Sequence, residues 1–494
     1  MNAATDRFFH PMKRWALVFF LAIAANGQNV DDAQFARIKA AFQQHLDQAV
    51  SKAKMPGATA AFVLPDGRQA SFAAGVRSLE TKVPILPTDP MLAGSIGKTF
   101  VSALTLQLIG EGKLDLDSKI SRWLGAEPWF SKLPNSGDIT LRMLLNHSSG
   151  VPNHVDEKSF FKTAMKEAAR DIKYAELLTF ILGKPPLFPA GKGYSYTDTN
   201  YILIGLIVEK VTGNTLYNEI SARLLKPAGL GQTYPSNKNE TPIVTGYNEN
   251  EPVVKNGRFI VNPQWEWAGG GFGSTAGDLS LWASKLYGGR VLSKDLFEQM
   301  ISSTSTGDGK NYGLGVEMHK TKLGISYGHD GEFPGYLSDM RFYVDHRIAV
   351  AVQTNADEPA RVSTFLSPDD FAQIIVEEIS NRKLSADQIG QLERTAEIWL
   401  ALVDAGRYAE SWNDLSSQLK AKFTVDSWPK ALEPLLKQVG KLNRRTFKSA
   451  MSLVPGKADV DFESSFAKQR QVTETVTMLF EDDGKWHVSG YSIH

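Results

Sequence analysis

The chain has 494 residues, enough for two or three domains, and its 42% hydrophobic and 22% charged content is ordinary for a globular protein. Its 54 basic and 54 acidic residues cancel and no long block of one sign occurs, which argues against nucleic acid as a partner. There is no cysteine, so a disulfide and a lipid-anchored cysteine are both excluded, and stability has to come from the core.

Residues 1–28 have the pattern of an export signal. Lys13 and Arg14 precede the apolar run Trp15–Ala25, which ends in small residues, and Met12 offers a tidier start than Met1. The run is too short to span a bilayer, for which about 20 residues are needed. The expectation is a periplasmic or secreted protein with no stable membrane span. Next, Phe35, Ile38, Phe42, Leu46 and Val50 fall on one helical face between Asp31 and Met55, and Pro56-Gly57 ends that helix. Thr59–Leu64 and Gln69–Val76 flank Pro65-Asp66-Gly67 as a hairpin.

The apolar run Val101–Ile109, stopped by Gly110 and Gly112, predicts a helix buried on every side with Ser95 at its amino end. Ser95 and Lys98 are three apart and share a face, which sets a hydroxyl nucleophile beside a proton acceptor. An oxyanion formed there would also feel the positive end of the helix dipole. Ser-x-x-Lys also begins at Ser51, Ser159, Ser380, Ser417, Ser427 and Ser465, where a solvated surface pair is the plain reading. Ser95 stands apart because Gly94 precedes it and a buried helix follows.

Ile139–Leu145 runs into the turn-rich His147-Ser148-Ser149-Gly150, where His147 reads as structural because no second ligand stands at metal spacing. There is no His-Glu-x-x-His, so neither a metal nor another cofactor is expected. A Gly/Pro-punctuated loop, Phe188–Tyr196, leads into a helix over about Thr199–Val211. Tyr196 there would serve as a general base if a nearby ammonium lowered its pKa from about 10. Strands are expected at Tyr312–Met318, Gly324–Tyr327, Tyr336–Val344 and Ile348–Thr354, with His329 at a strand end beside glycines. Ser380–Ser385 reads as a linker. Beyond it, Thr473–Phe480 and Trp486–Ile493 pair as a hairpin about Asp483-Gly484.

Ser95-x-x-Lys98, Tyr196-x-Asp198 and His329-x-Gly331 in this order resemble the serine β-lactamase and penicillin-recognising family. The branch they look most like holds class C β-lactamases, D-alanyl-D-alanine carboxypeptidases, D-aminopeptidases and esterases. Leu92-Ala93-Gly94-Ser95, Leu144-Leu145-Asn146-His147-Ser148-Ser149-Gly150 and Gly269-Gly270-Gly271-Phe272-Gly273-Ser274-Thr275 extend the likeness over about residues 32–380. The resemblance implies an α+β fold, with an antiparallel sheet flanked by helices, an inserted helical subdomain and the active site at their junction. Ser95 would attack a carbonyl, Lys98 and Tyr196 would share its proton, and the backbone N–H groups of Ser95 and Glu332 would form an oxyanion hole. Asp198, His329, Asp330 and Gly331 would contact substrate.

Two departures qualify the likeness. Asp198 replaces the asparagine of class C enzymes, and His329-Asp330-Gly331 replaces their Lys-Thr-Gly, whose lysine and threonine help bind a substrate carboxylate. Asp330 would repel one, which shifts the expectation from β-lactams toward esters and peptides. Ala93-Gly94-Ser95-Ile96-Gly97 also imitates the nucleophile elbow of α/β-hydrolases, but Val83–Pro90 carries three prolines and cannot be the core strand that elbow needs. A binding reading, a penicillin sensor that acylates without turnover, is the alternative of a different class. The expected organisation is a signal over 1–28, a hydrolase domain over 30–380, a linker over 381–389 and a small α+β domain over 390–494. That last domain resembles one of unknown function in exported bacterial proteins. The expected partner is a small-molecule or peptidoglycan-derived substrate, and the oligomeric state is left open.

Overall fold

The 3.6-residue spacing of Ile38, Phe42, Leu46 and Val50 is realised in helix α1 (Asp32–Ala53), which buries all four. Asp31 caps it by a reciprocal pair: its carboxylate accepts from Gln34 N at 2.7 Å, and Gln34 Oε1 accepts from Asp31 N at 3.3 Å. The computed structural model describes residues 30–493 apart from 167–169, 237–242, 308–310, 358–365, 381–383, 385, 455, 471 and 482. The expected export signal lies outside the described residues. No helix among them is long and apolar enough to cross a membrane.

Strands β1 (Gly57–Val63) and β2 (Gln69–Gly75) form the expected hairpin, and Gly67 turns it with φ +89°. They close one edge of an eight-stranded antiparallel sheet. The other members are β3 (Thr304–Ser305), β4 (Asn311–Tyr312), β5 (Glu317–Thr321), β6 (Gly324–Phe333), β7 (Tyr336–Tyr343) and β8 (Ile348–Thr354). The spatial order is β3-β4-β5-β6-β7-β8-β1-β2, so the two ends of this region meet where β1 pairs with β8. Both of those strands are buried on both faces, and alternation sends their side chains to two cores. Ala61, Val63, Ala349 and Ala351 join the core shared with helices α2 (Gly97–Gly110), α3 (Asp198–Thr212) and α4 (Ala276–Tyr287). Ala60, Phe62, Val350 and Val352 join the core of α1 and α5 (Pro368–Ser380).

Two strand expectations are corrected. Tyr312–Met318 is not one strand: Gly313 N donates to Val316 O at 2.7 Å and Gly315 N to Leu145 O at 3.1 Å, a turn that separates β4 from β5. Gly324–Tyr327 runs on to Phe333, so His329 sits mid-strand in β6 and not at an end. The glycines at 328 and 331 do not break the strand, because each lies against a neighbouring backbone where a Cβ has no room.

Residues 386–389, expected in the linker, are the first turn of α6 (Ala386–Asp404). That helix and α7 (Trp428–Val439) share a separate core with a four-stranded antiparallel sheet, β9 (Leu442–Val454), β10 (Lys457–Phe466), β11 (Val472–Phe480) and β12 (Trp486–Ile493). Trp399, Leu400, Val460, Phe462 and Met478 lie at its centre.

Phe42 is the hub of the α1 core, with ring centroids of Phe62, Phe72 and Phe371 at 5.1, 4.8 and 4.7 Å. Phe42→Ala removes a fully buried ring from three aromatic neighbours. It should cost about 3–5 kcal/mol in denaturant unfolding. A loss below about 1 kcal/mol would show that α1 is not integral to the sheet.

Candidate active site

Ser95 lies in a 3₁₀ turn, Gly94–Ile96, that leads into α2. A short three-stranded sheet fixes that turn from one side: Met91–Leu92 pairs with Phe272–Ser274, and Ala93 N donates to Phe272 O at 2.9 Å. Strand β6 fixes it from the other. Gly94 has φ +54°, and a Cβ there would come within 2.5 Å of Glu332 N. A Cβ on Gly331 would come within 2.0 Å of Ala93 O, and Ser338 Oγ donates to that same carbonyl at 2.7 Å. The backbone at Glu332 is therefore pressed against the turn that carries Ser95, which only glycine at 94 and 331 permits.

Lys98 follows one turn later and is fully buried. Its ammonium donates to Ser95 Oγ at 2.9 Å, to Gly269 O at 2.5 Å and to Asp198 Oδ1. These are all three of its donors, so the buried charge is both paired and fully hydrogen-bonded. Asp198 is placed by the start of α3, where Thr197 Oγ1 caps by accepting from Thr199 N at 3.2 Å and Asn153 Oδ1 accepts from Asp198 N at 3.1 Å. The Asp198 carboxylate, expected to contact substrate, also pairs with Lys98.

Tyr196 presents its ring face to Lys98, with Nζ 4.9 Å from the centroid. Its hydroxyl is buried without a hydrogen-bond partner. The expected lowering of its pKa is reversed: burial, then the Asp198 carboxylate, push the phenol well above its ordinary value, and the nearby Ser95 hydroxyl pulls only weakly the other way. Burial is the main reason for the reversal, and the Asp198 carboxylate that pairs with Lys98 adds to it.

His329 is fully buried. Its Nδ1 donates to the Asp330 carbonyl at 2.6 Å, so in the neutral ring Nε2 accepts from Tyr312 Oη, 2.8 Å away. These two bonds hold its ring within the strand. Asp330 and Glu332 alternate with it on β6 and keep part of their surface in solvent, although their carboxyl groups are partly desolvated. Burial and the neighbouring Glu317 raise the pKa of Asp330. Glu317, His329 and Asp330 bring ligand atoms within 4.8 Å of one another, but Arg341 already reaches Glu317 at 2.8 Å and Asp339 at 2.6 Å, which suits an ion-pair cluster better than a metal. Two roles are not legible in the sequence: Gly269 enters only as part of the glycine-rich run, its carbonyl being main chain, and Glu266 stands in no motif.

The chain belongs to the Beta-lactamase family, whose profile matches residues 42–371. That profile covers both the Ser95 turn and strand β6. A second profile, a protein of unknown function (DUF4019), matches residues 395–491. Penicillin-binding protein 4* of Bacillus subtilis is 26% identical over 306 residues, 58% of this chain and 64% of that protein, so the chain spans less than two thirds of that relative. A D-aminopeptidase of Brucella anthropi is 24% identical over 379 residues, 74% of this chain and 68% of its own. Among solved structures, a D-stereospecific amidohydrolase from Streptomyces sp. superposes with a TM-score of 0.58 at 27% identity, over 66% of this chain and 97% of that one. A D-amino acid amidase from Ochrobactrum anthropi SV3 gives 0.60 at 22% identity, over 70% and 99%, a likeness of fold.

Glu266 lies behind the nucleophile turn: a Cβ on Gly270 would stand 2.2 Å from its Oε2 and 2.6 Å from the Gly94 carbonyl. Burial, Asp198 and Glu332 outweigh Lys98 and push its pKa up to about 8 from 4.5. Folding raises this pKa, so the stability it confers is complete below about 4.5 and is lost as pH rises through about 8. Glu266→Gln, which mimics the protonated form, should match the parent Tm at pH 5 and exceed it at pH 9. An equal Tm difference at both pH values would contradict this.

Proposed function

We propose that the protein is exported and hydrolyses an ester or a D-amino-acid amide or peptide through an acyl-enzyme on Ser95. The observation that carries this reading is the 2.9 Å bond from buried Lys98 to Ser95 Oγ. As the Ser95 oxygen bonds to the substrate carbonyl, its proton passes to Lys98, which is freed to accept it when Asp198 holds the proton Lys98 now shares. Tyr196, kept as a phenol by burial and then by its carboxylate neighbours, gives its proton to the leaving group and recovers one from Lys98. The negative oxygen is met by the N–H groups of Ser95 and Glu332, each worth about 3–4 kcal/mol at the transition state. Water then repeats the sequence in reverse roles and releases the acid.

Substrate preference follows from charge. Asp330 stands where class C enzymes present the threonine of Lys-Thr-Gly to a carboxylate, and Glu332 follows directly after the triplet. That disfavours a free carboxylate near the scissile bond. The relatives named D-aminopeptidase and D-stereospecific amidohydrolase support the same direction.

Steady-state hydrolysis of p-nitrophenyl acetate, D-alanine p-nitroanilide and nitrocefin is the test. Ser95→Ala should lower kcat on every substrate turned over by at least about 10³ with the fold intact by circular dichroism. Unchanged turnover in that variant would remove Ser95 from the mechanism, and a single burst with no steady state would favour the sensor reading.

The same panel addresses selectivity. Asp330→Thr should raise nitrocefin turnover relative to the neutral ester by about 10-fold, as expected for relief of one like-charge contact of about 1.4 kcal/mol. An unchanged ratio would place selectivity elsewhere.

A further inference from the structure

His147 occupies the turn after the short helix Leu141–Leu145 and carries two unfavourable features. Its φ is +59°, a left-handed conformation that glycine or asparagine adopts with less strain. It is also fully buried, and its Nε2 has no hydrogen-bond partner. A buried polar group left unpaired costs about 1–3 kcal/mol, and strain of this kind persists where the surrounding structure uses it.

The surroundings show the use. Tyr196 lies between two backbone amides, and both donate to His147. Ser195 N donates to the His147 carbonyl at 3.0 Å, and Thr197 N donates to its ring Nδ1 at 3.2 Å. Asn200 Nδ2 approaches the same Nδ1 at 3.4 Å. A main-chain N–H can only donate, so Nδ1 is the acceptor and the proton sits on Nε2. The imidazole itself lies on the Tyr196 ring, with centroids 4.3 Å apart and planes 36° from parallel. Tyr312 meets the imidazole at a steep angle of 64°, with centroids 4.8 Å apart. Burial, then Lys98 and His329, hold the His147 pKa well below its ordinary value, which keeps the ring neutral and Nδ1 free to accept.

We infer that His147 is a positioning residue for Tyr196: its carbonyl and Nδ1 clamp the amides on either side of that tyrosine, and its ring fixes the plane of the phenol beside Ser95. The choice of histidine follows from the combined demand. Asparagine would tolerate the left-handed backbone and supply an acceptor, but it has no ring to lie on Tyr196. Phenylalanine would supply the ring without the orphan N–H, but it has no acceptor for Thr197 N. Histidine does both, and the unpaired Nε2–H is the residual cost.

This inference rests on the proposed role of Tyr196 in proton transfer, and a double-mutant cycle separates the two. His147→Phe in the full-length protein should lower kcat on p-nitrophenyl acetate by about 10–100-fold, part of the 10²–10⁴ that general acid–base catalysis supplies, with KM within about 3-fold. In a Tyr196→Phe background the same substitution should change kcat by less than about 3-fold, because the group it positions is already gone. An equal loss in both backgrounds, or no loss in the parent, would overturn the inference while leaving Tyr196 in place. A Tyr196→Phe variant with full kcat would instead overturn the role of Tyr196, and this inference with it. If His147→Phe does not fold, His147→Asn takes its place in the cycle. It keeps the acceptor and suits the backbone, and it should lose kcat through the missing ring contact with the same dependence on Tyr196.

Discussion

A lysine without solvent contact has to be surrounded by acceptors, and the three that surround Lys98 come from widely separated parts of the chain. Ser95 lies one turn before it, Asp198 starts α3, and the Gly269 carbonyl belongs to the glycine run that leads into the short three-stranded sheet. Removing one partner of a buried ion pair costs about 3–5 kcal/mol, because the other charge is left uncompensated. The requirement to satisfy one ammonium thus holds the nucleophile, a carboxylate and a loop in fixed relation. Burial, and after it the Asp198 carboxylate that Lys98 holds in place, keep Tyr196 a phenol.

Backbone contact supplies the second constraint. Glycines at 94, 270 and 331 let three main-chain segments approach more closely than any Cβ would allow. The long strand β6 reaches the nucleophile turn only because Gly331 and Gly94 lie between Ala93 and Glu332. The sheet places this contact: β6 is central, and the two cores that bury β1 and β8 on both faces hold the sheet rigid behind it. Chemistry at the cleft therefore depends on packing that extends as far as α1 and α5.

Much of this was legible in the sequence, for identifiable reasons. The α1 stripe, the hairpin about Gly67 and the helix after Ser95 are local, periodic signals bounded by glycine or proline, and each forms within a few residues of expectation. Ser95 and Lys98 adjoin because three residues make one helical turn. What failed depended on distant contacts. Tyr312–Met318 looked continuous, but Gly315 is held by the Leu145 carbonyl from another part of the chain. The bond between His329 and Tyr312 is likewise invisible before folding. Spacing cannot reveal that Asp198 answers Lys98 across 100 residues, nor that Tyr196 is buried, and burial sets the sign of its pKa shift. His147 looked like one more turn residue because its strain and its grip on the Tyr196 amides exist only after folding.

The central claim is that Ser95, activated beside a buried Lys98, carries the acyl group. Rapid quench with excess p-nitrophenyl acetate in acid, followed by peptide mass spectrometry, tests it most directly. The account predicts an acetyl adduct confined to the peptide that contains Ser95, formed at least about 10²-fold more slowly in Lys98→Ala. An adduct on another residue, or one that forms equally fast without Lys98, would contradict it.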